Sequence, residues 1–408
     1  MTALPTGYRR DPVPTEKTEI KTKTRNGPQE RNGKISNFPE GSTVEMRKTP
    51  LNAFHHASGG KMVDFNGWEM PIQYDGLIKE HLRTRNGVSL FDVCHMGIVN
   101  LEGRDALANV QRLTTNDASS LAVGQVQLSA MLYPDGTIVD DLTVYRLGEK
   151  KYRLCVNAAN TDRDFKWIAS HIDGELTCEN ASSVTGQIAI QGRHSEKILQ
   201  RIAKHALQEI RYYWCAETEI LGIPALIARM GYTGEDGFEL FCSQGDTETI
   251  WNGLLSVGKS FGIAPAGLGA RDTLRTEMCY RLYGNDIDDR HNVLESALGW
   301  IVKMDSSDFI GKEALRRIKE RGIERKLVPF LLAERGVPRK GYRILNESGK
   351  TEIGVVTSGT SSPVLKQGIG MGYVKRGHFT KGTAINVRIR EKSVPATVVK
   401  APFVNVGK

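Results

Sequence analysis

The sequence predicts an α+β protein that ends in a small β-rich domain of barrel or sandwich type. Three observations carry this expectation. Helical and strand-like segments are mixed without the regular alternation that a doubly wound parallel sheet needs. After about Glu320, short β-branched runs split by Gly, Pro and Ser follow one another. The chain has 408 residues at 39% hydrophobic content, enough to bury a sizeable core across two or three domains.

Residues 1–48 are rich in Pro, Gly, Lys, Thr and Asn and poor in large apolar groups, so burial there cannot offset the entropy of ordering. They are expected to form a disordered basic extension. A mitochondrial presequence is the rival reading, against which Asp11, Glu16, Glu19 and Glu30 break the acid-poor pattern. The extension carries ten Lys or Arg against six Asp or Glu, half of the whole chain's net charge of +8. What remains is modest, and no interleaving of aromatic and basic residues favours nucleic acid. No run approaches the roughly 18 apolar residues of a membrane span. The expectation is therefore a cytoplasmic protein, or a matrix protein if its source is eukaryotic, with neither nucleic acid nor membrane as partner.

The six cysteines are widely scattered without a C-x-x-C pair, which argues for thiols in a reducing compartment. No histidine pair has metal-binding spacing, and no metal is expected.

Residues 49–320 are expected to form the functional region and 321–408 the β-rich domain. In the first region, Lys151 to Val156 and Gln187 to Gln191 read as strands. Asp162 to Ile172, Ser195 to Leu207 and Thr247 to Gly258 read as helices, the first presenting Phe165, Ile168, Ala169 and Ile172 on one face. In the second, strands are expected at Leu327 to Leu332, Thr351 to Thr357, Gly370 to Val374, Ala384 to Arg390 and Val394 to Lys400.

Four segments can carry chemistry. TIVDDLTVYR, from Thr137, has the β-branched content of a strand, so alternation separates its two aspartates. Asp140 falls with Ile138, Leu142 and Val144, whereas Asp141 falls with Val139, Thr143 and Tyr145 on a face that resembles a site lining. The alternative, that the acidic pair caps the turn Pro134 to Gly136, stays open. GYTGEDGFEL, from Gly231, reads as a tight turn delivering Glu239 onto a defined face. Its acids would repel phosphate, but a carboxylate there suits a ligand edge with two adjacent N–H donors, such as the amino-pyrimidinone edge of guanine or a pterin. A surface turn with solvated acids is the alternative. AGLGARDTLRTE, from Ala266, lacks the third glycine of a dinucleotide fingerprint and puts Asp272 where a pyrophosphate would lie, so Arg271 opens either a ligand-facing helix or a merely salt-bridged one. Tyr212 and Tyr213, beside Trp214, either stack a flat ring or belong to the core.

Taken together these segments resemble the T-protein family of the glycine cleavage system, the aminomethyltransferases. The resemblance runs from Thr49 to Phe403. It includes KMVDFNGWEMPIQY, SLFDVCHMG, TND, YPDGTIVDDLTVY, VNAAN, GYTGEDGFEL, PAGLGARDTLR, LYGNDID and TSGTSSPVLKQGIGMGYV. It implies three domains arranged like a cloverleaf around a central channel that takes tetrahydrofolate as substrate and acceptor. It implies a reaction in which the aminomethyl carbon of a lipoylated H protein passes to tetrahydrofolate with release of ammonia; the P and L proteins of the system are indirect partners. By the same resemblance Asp141 is the expected catalytic residue. Glu239, Arg271, Tyr145, Tyr232, Tyr212, Met96 and Thr143 are the expected folate-binding set.

Four departures from the family pattern bear on the fine shape of that channel: Cys94 before His-Met, Arg193 and His194 after Gln191-Gly192, Met230 before GYTGE, and Leu128. Two alternatives share the scaffold. A non-enzymatic folate-binding protein would carry a K-G-C-Y-x-G-Q segment where this chain reads MCYRLYGNDID, and a folate-dependent demethylase would act on a small free substrate.

Overall fold

The computed structural model describes residues 45–305 and 308–406, so the expected extension lies, up to residue 44, outside the described residues. Arg47 is already tied in: its backbone bonds Gly67 and Glu69, and its guanidinium lies 4.7 Å from the ring centre of Trp68.

The fold is α+β, with three lobes around a central cavity. The first is a five-stranded antiparallel sheet in the order Val126–Leu132, Ile138–Gly148, Lys151–Val156, Gly97–Gly103, Leu176–Asn180. One of its faces buries Val99, Leu101, Leu142, Val144 and Leu154 beneath the helices Ala106–Leu113 and Thr161–His171. The second helix forms as its periodicity predicts: Ile168 is buried with Phe165 and Ile172 packed beside it, and Asp162 and Asp164 occupy the first turn, where the helix dipole favours acids.

The second lobe is a six-stranded sheet in the order Cys215–Ile220, Ile223–Ala228, Gly237–Ser243, Thr185–Gln191, Ser89–Asp92, Ala264–Pro265, antiparallel apart from the last pair. Helix Thr247–Gly258 covers it and inserts Trp251 into a core with Ile190, Ile227, Phe238 and Leu240. The helix expected from Ser195 to Leu207 stops at Leu199. Past that point Ile202 and Ala203 are drawn to the edge strand, where Leu221 N–H bonds the Ile202 carbonyl and Ala203 bridges Ile220. Sheet pairing outweighs helical propensity there.

The third lobe is a closed six-stranded barrel: Arg325–Leu332, Gly368–Lys375, Glu352–Ser361, Arg343–Asn346, Ala384–Ile389, Lys392–Val398. Its interior is filled by Val328, Phe330, Ile344, Val356, Val374 and Val387. Closure removes the edges an open sheet would expose. The sequence reading finds five of these strands and misses Arg343–Asn346, which is four residues long.

Helix Leu268–Glu277 runs through the middle and joins the lobes. From it Arg275, 1% exposed, reaches Asp286 at 2.5 Å, the Tyr280 carbonyl at 3.0 Å and the barrel's Ser358 hydroxyl at 2.8 Å. Glu277 accepts from Arg85 at 2.9 Å and from the barrel's Ser362 at 2.5 Å. A buried charge is tolerated only when paired in this way. Among the described residues no helix is long and apolar enough to cross a membrane.

Candidate active site

The lobes enclose a cavity of about 1040 Å³, at the upper end of the roughly 300–1,000 Å³ usual for small-ligand sites. Asp141 and Thr143 enter it from strand Ile138–Gly148, as alternation predicts from Asp140 onward; a register shift opposite Met131 and Leu132 reverses the order before that, so Val139 and not Ile138 packs with Leu142 and Val144. Asp135, not the acidic pair, caps the preceding turn by accepting from the Thr137 N–H at 3.0 Å and the Thr137 hydroxyl at 2.7 Å. The alternation fails at depth for Tyr145. That phenol is fully buried beneath the cavity floor, packs edge-on to Phe241 at 5.5 Å and donates to Met230 Sδ at 3.1 Å. It does not line the cavity.

Asp141 is held by Asn157, whose Nδ2 donates to its Oδ1 at 2.9 Å. The same amide group reaches Asp140 Oδ1 at 2.9 Å and the Asp141 carbonyl at 3.1 Å, so two hydrogens serve three acceptors. Burial, and next the neighbouring Asp140 charge, push the Asp141 carboxyl up to about 7. A carboxyl in that range can hold or release a proton near neutrality.

Glu239 enters from strand Gly237–Ser243, which pairs with Thr185–Gln191. Its Oε2 accepts from Gln187 Nε2 at 3.0 Å. Burial raises its carboxyl, against the opposing pull of Arg271 and Gln187. The glycines before it are needed for the turn. Gly234 sits at φ +87°, and a Cβ at Gly237 would come within 2.5 Å of the Gln191 amide and the Ile190 carbonyl. The acids of this turn are paired: the buried Glu235 with Arg85 at 2.9 Å and the half-buried Asp236 with Arg229 at 2.7 Å.

Arg271 comes from the central helix, its guanidinium 4.9 Å from the ring centre of Tyr232. Its Nη1 is buried without a hydrogen-bond partner. Nδ1 of His95 is also a buried orphan in the cavity wall, and burial lowers that imidazole to about 4, so the ring is neutral. Both residues line the cavity, although the two orphan atoms themselves are buried in its wall, so each has polar capacity that the surrounding protein leaves unused. Tyr232 lines the cavity and donates to the Arg281 carbonyl. Met96 also lines it, from the loop after Ser89–Asp92, as does Tyr212, which is 44% exposed and so not a core residue.

Sequence reasoning missed Gln187, Asn157, His95 and Arg281. Each lies in or near a quoted motif or strand, but its role depends on which side chain it meets across the fold. Of the four departures, Leu128 and Met230 line the cavity; Cys94, Arg193 and His194 do not. The Cys94 thiol donates instead to the Gln187 carbonyl at 3.2 Å.

Residues 51–306 match the GCVT N-terminal domain, and residues 325–405 match the glycine cleavage T-protein C-terminal barrel domain. The chain belongs to the glycine cleavage T-protein family. Its relatives in that family include an aminomethyltransferase of Halothermothrix orenii, 45% identical over 88% of this chain and 100% of that protein. Another, of Chloroherpeton thalassium, is 47% identical over 89% of this chain and 100% of that protein. Among solved structures, the glycine cleavage system aminomethyltransferase T from Bartonella henselae superposes with a TM-score of 0.83 at 32% identity, covering 88% of this chain and 99% of that one. The three-lobed T-protein architecture is thus present, barrel included.

Proposed function

We propose that the chain is the aminomethyltransferase of a glycine cleavage system, passing the methylene of an aminomethylated dihydrolipoyl carrier to tetrahydrofolate. The observation that carries this reading is the meeting of Asp141, Glu239 and Arg271, from three separate elements, in the wall of one large cavity. Its volume suits two guests, a folate and the arm of a lipoylated H protein.

The proton accounting fits Asp141. As the transferred carbon bonds N5 and N10, each nitrogen gives up one proton; one ends on the departing ammonia and the other on the lipoyl sulfur. Nothing is consumed overall, so the step calls for a group that accepts and returns a proton near neutrality. The Asp141 carboxyl, at about 7, meets that requirement. Holding N10 in attack geometry is its second task. Glu239 accepts the two adjacent N–H donors of the pterin, while the Arg271 guanidinium offers donors to its carbonyl and ring nitrogens and His95 stands beside them in the wall. Thr143, Met96, Tyr232 and Tyr212 line the ring's path, and Tyr145 supports the floor from below. The protein works in solution, in the cytoplasm for a bacterial source.

Glu239→Ala leaves the pterin donors unpaired and is expected to weaken tetrahydrofolate binding by about 1–3 kcal/mol. Titration by intrinsic fluorescence checks this; equal affinity in the variant and the unmutated protein removes Glu239 from the pterin site.

A further inference from the structure

Beside Asp141 stands an acceptor with nothing to accept. Asn157 follows strand Lys151–Val156 and lines the cavity. Its backbone is fixed on both sides: its N–H donates to Asp140 Oδ2 at 2.9 Å, and its carbonyl accepts from the Asn160 N–H at 2.9 Å. Its side-chain Nδ2 meets three oxygens, Asp140 Oδ1 at 2.9 Å, Asp141 Oδ1 at 2.9 Å and the Asp141 carbonyl at 3.1 Å. Those contacts fix which way round the amide lies. Turned over, its oxygen would face the Asp141 carbonyl and an Asp140 oxygen that already receives a hydrogen from Asn160 Nδ2 at 2.8 Å.

Asn157 Oδ1 therefore lies on the side of the amide away from both carboxyl groups. Among the described residues no donor comes within hydrogen-bond reach of it, and it is not one of the buried unsatisfied atoms, so it is open to the cavity that Asn157 lines.

In aminomethyl transfer three nitrogens meet at this point: N5, N10 and the aminomethyl nitrogen. Each folate nitrogen has one hydrogen and gives it up on bonding the carbon. The aminomethyl nitrogen has two, and three once it is ammonia. It alone offers donors before and after the step, and it alone can reach Asn157 Oδ1 and the Asp141 carboxyl together. A neutral amide oxygen suits it, because such an oxygen accepts a hydrogen bond without removing the proton that the nitrogen has to carry away.

We propose that Asn157 Oδ1 holds the nitrogen that leaves as ammonia, which makes Asn157 a catalytic residue in contact with the substrate as well as the holder of Asp141. The inference rests on the aminomethyltransferase reading. One folate nitrogen bonds to the carbon as the carbon–nitrogen bond breaks. The electron pair of the broken bond stays on the departing nitrogen, which takes up one proton released by folate and handed on by Asp141. The second folate nitrogen displaces the sulfur in the same way, and the thiol takes the other proton. With one N–H held by Oδ1, the departing nitrogen is kept beside the carboxyl from which it collects its proton.

The test runs the transfer backwards, from 5,10-methylenetetrahydrofolate, ammonia and the reduced lipoylated carrier, in the unmutated full-length protein and in Asn157→Leu, Asn157→Ala and Asn157→Asp. All three variants lose the amide hydrogens that hold Asp141, so a lower kcat is expected in each. Only Asn157→Asp keeps an acceptor oxygen. Asn157→Leu and Asn157→Ala are expected to raise KM for ammonia by about 3- to 10-fold, the effect of one lost hydrogen bond, with tetrahydrofolate affinity by fluorescence titration unchanged. Asn157→Asp is expected to keep the ammonia KM of the unmutated protein at its reduced kcat. Leu fills the volume of the amide and Ala empties it, so if one of these variants fails to fold the other decides.

An unchanged ammonia KM without the acceptor, an equal rise in Asn157→Asp and Asn157→Leu, or a matching loss of tetrahydrofolate affinity overturns the proposal. Absence of transfer by the unmutated protein in both directions removes the functional reading and the inference with it. Turnover with an ammonia KM indifferent to Asn157 removes the inference and leaves the reading standing.

Discussion

Asp141→Asn is expected to lower kcat for aminomethyl transfer by about 10²- to 10⁴-fold, the usual worth of a positioned acid–base group. Tetrahydrofolate affinity should change far less, because in the proposed function Glu239 and Arg271 anchor the ring from other elements. The amide keeps the size of the carboxyl but cannot take a proton from N10 or return one to the leaving group. A KM-dominated defect with kcat intact would instead make Asp141 a binding residue. The same substitution has a signature in stability. The folded carboxyl sits at about 7 against an ordinary 3.8, so between those values the folded protein holds a proton that the unfolded chain has released. The contribution of Asp141 to stability is therefore fully present below the lower value and lost as pH rises through the upper one. Urea melts should find Asp141→Asn more stable than the unmutated protein at alkaline pH, with the gap closing in acid.

Asp286→Ala is expected to destabilise the fold by about 3–5 kcal/mol, the cost of leaving a buried charge without its partner. Asp286 is 0% exposed and accepts from Arg275, from the Thr357 hydroxyl of the barrel and from the Leu282 N–H. Its loss takes from Arg275 its buried charge partner, leaving the half-exposed Asp272, and removes the Asp286–Thr357 link to the barrel, while the Arg275–Ser358 and Glu277–Ser362 bonds remain. Asp272, which pairs with the same arginine at 2.7 Å, has a side chain 50% exposed. Asp272→Ala should cost no more than about 1 kcal/mol, because water screens that contact. Equal urea midpoints for the two variants would contradict this ranking.

Much of the site was legible because its key residues sit in segments with strong local character. The β-branched run at Thr137 fixes a strand and thereby separates Asp141 from Asp140. The glycines before Glu239 mark a turn that few other residues can make. Depth was not legible: strand alternation puts Tyr145 on the correct face, but only the packing of Phe241 and Met230 above it shows that it lies under the floor. Nor were cross-fold partnerships, since Asn157 follows its strand with no local sign that its amide will bridge two carboxylates, and Gln187 meets Glu239 only through strand register. The barrel strands were visible as β-branched runs; Arg343–Asn346 is too short to show a period, and closure of the barrel is what makes it a strand.

The most direct test of the central claim is ammonia release by the purified protein given an aminomethylated, lipoylated carrier protein and tetrahydrofolate. The predicted result is ammonia and 5,10-methylenetetrahydrofolate formed in equal amounts, only when protein, carrier and folate are all present. Ammonia release no greater than in the mixture without protein, or release independent of tetrahydrofolate, would contradict it.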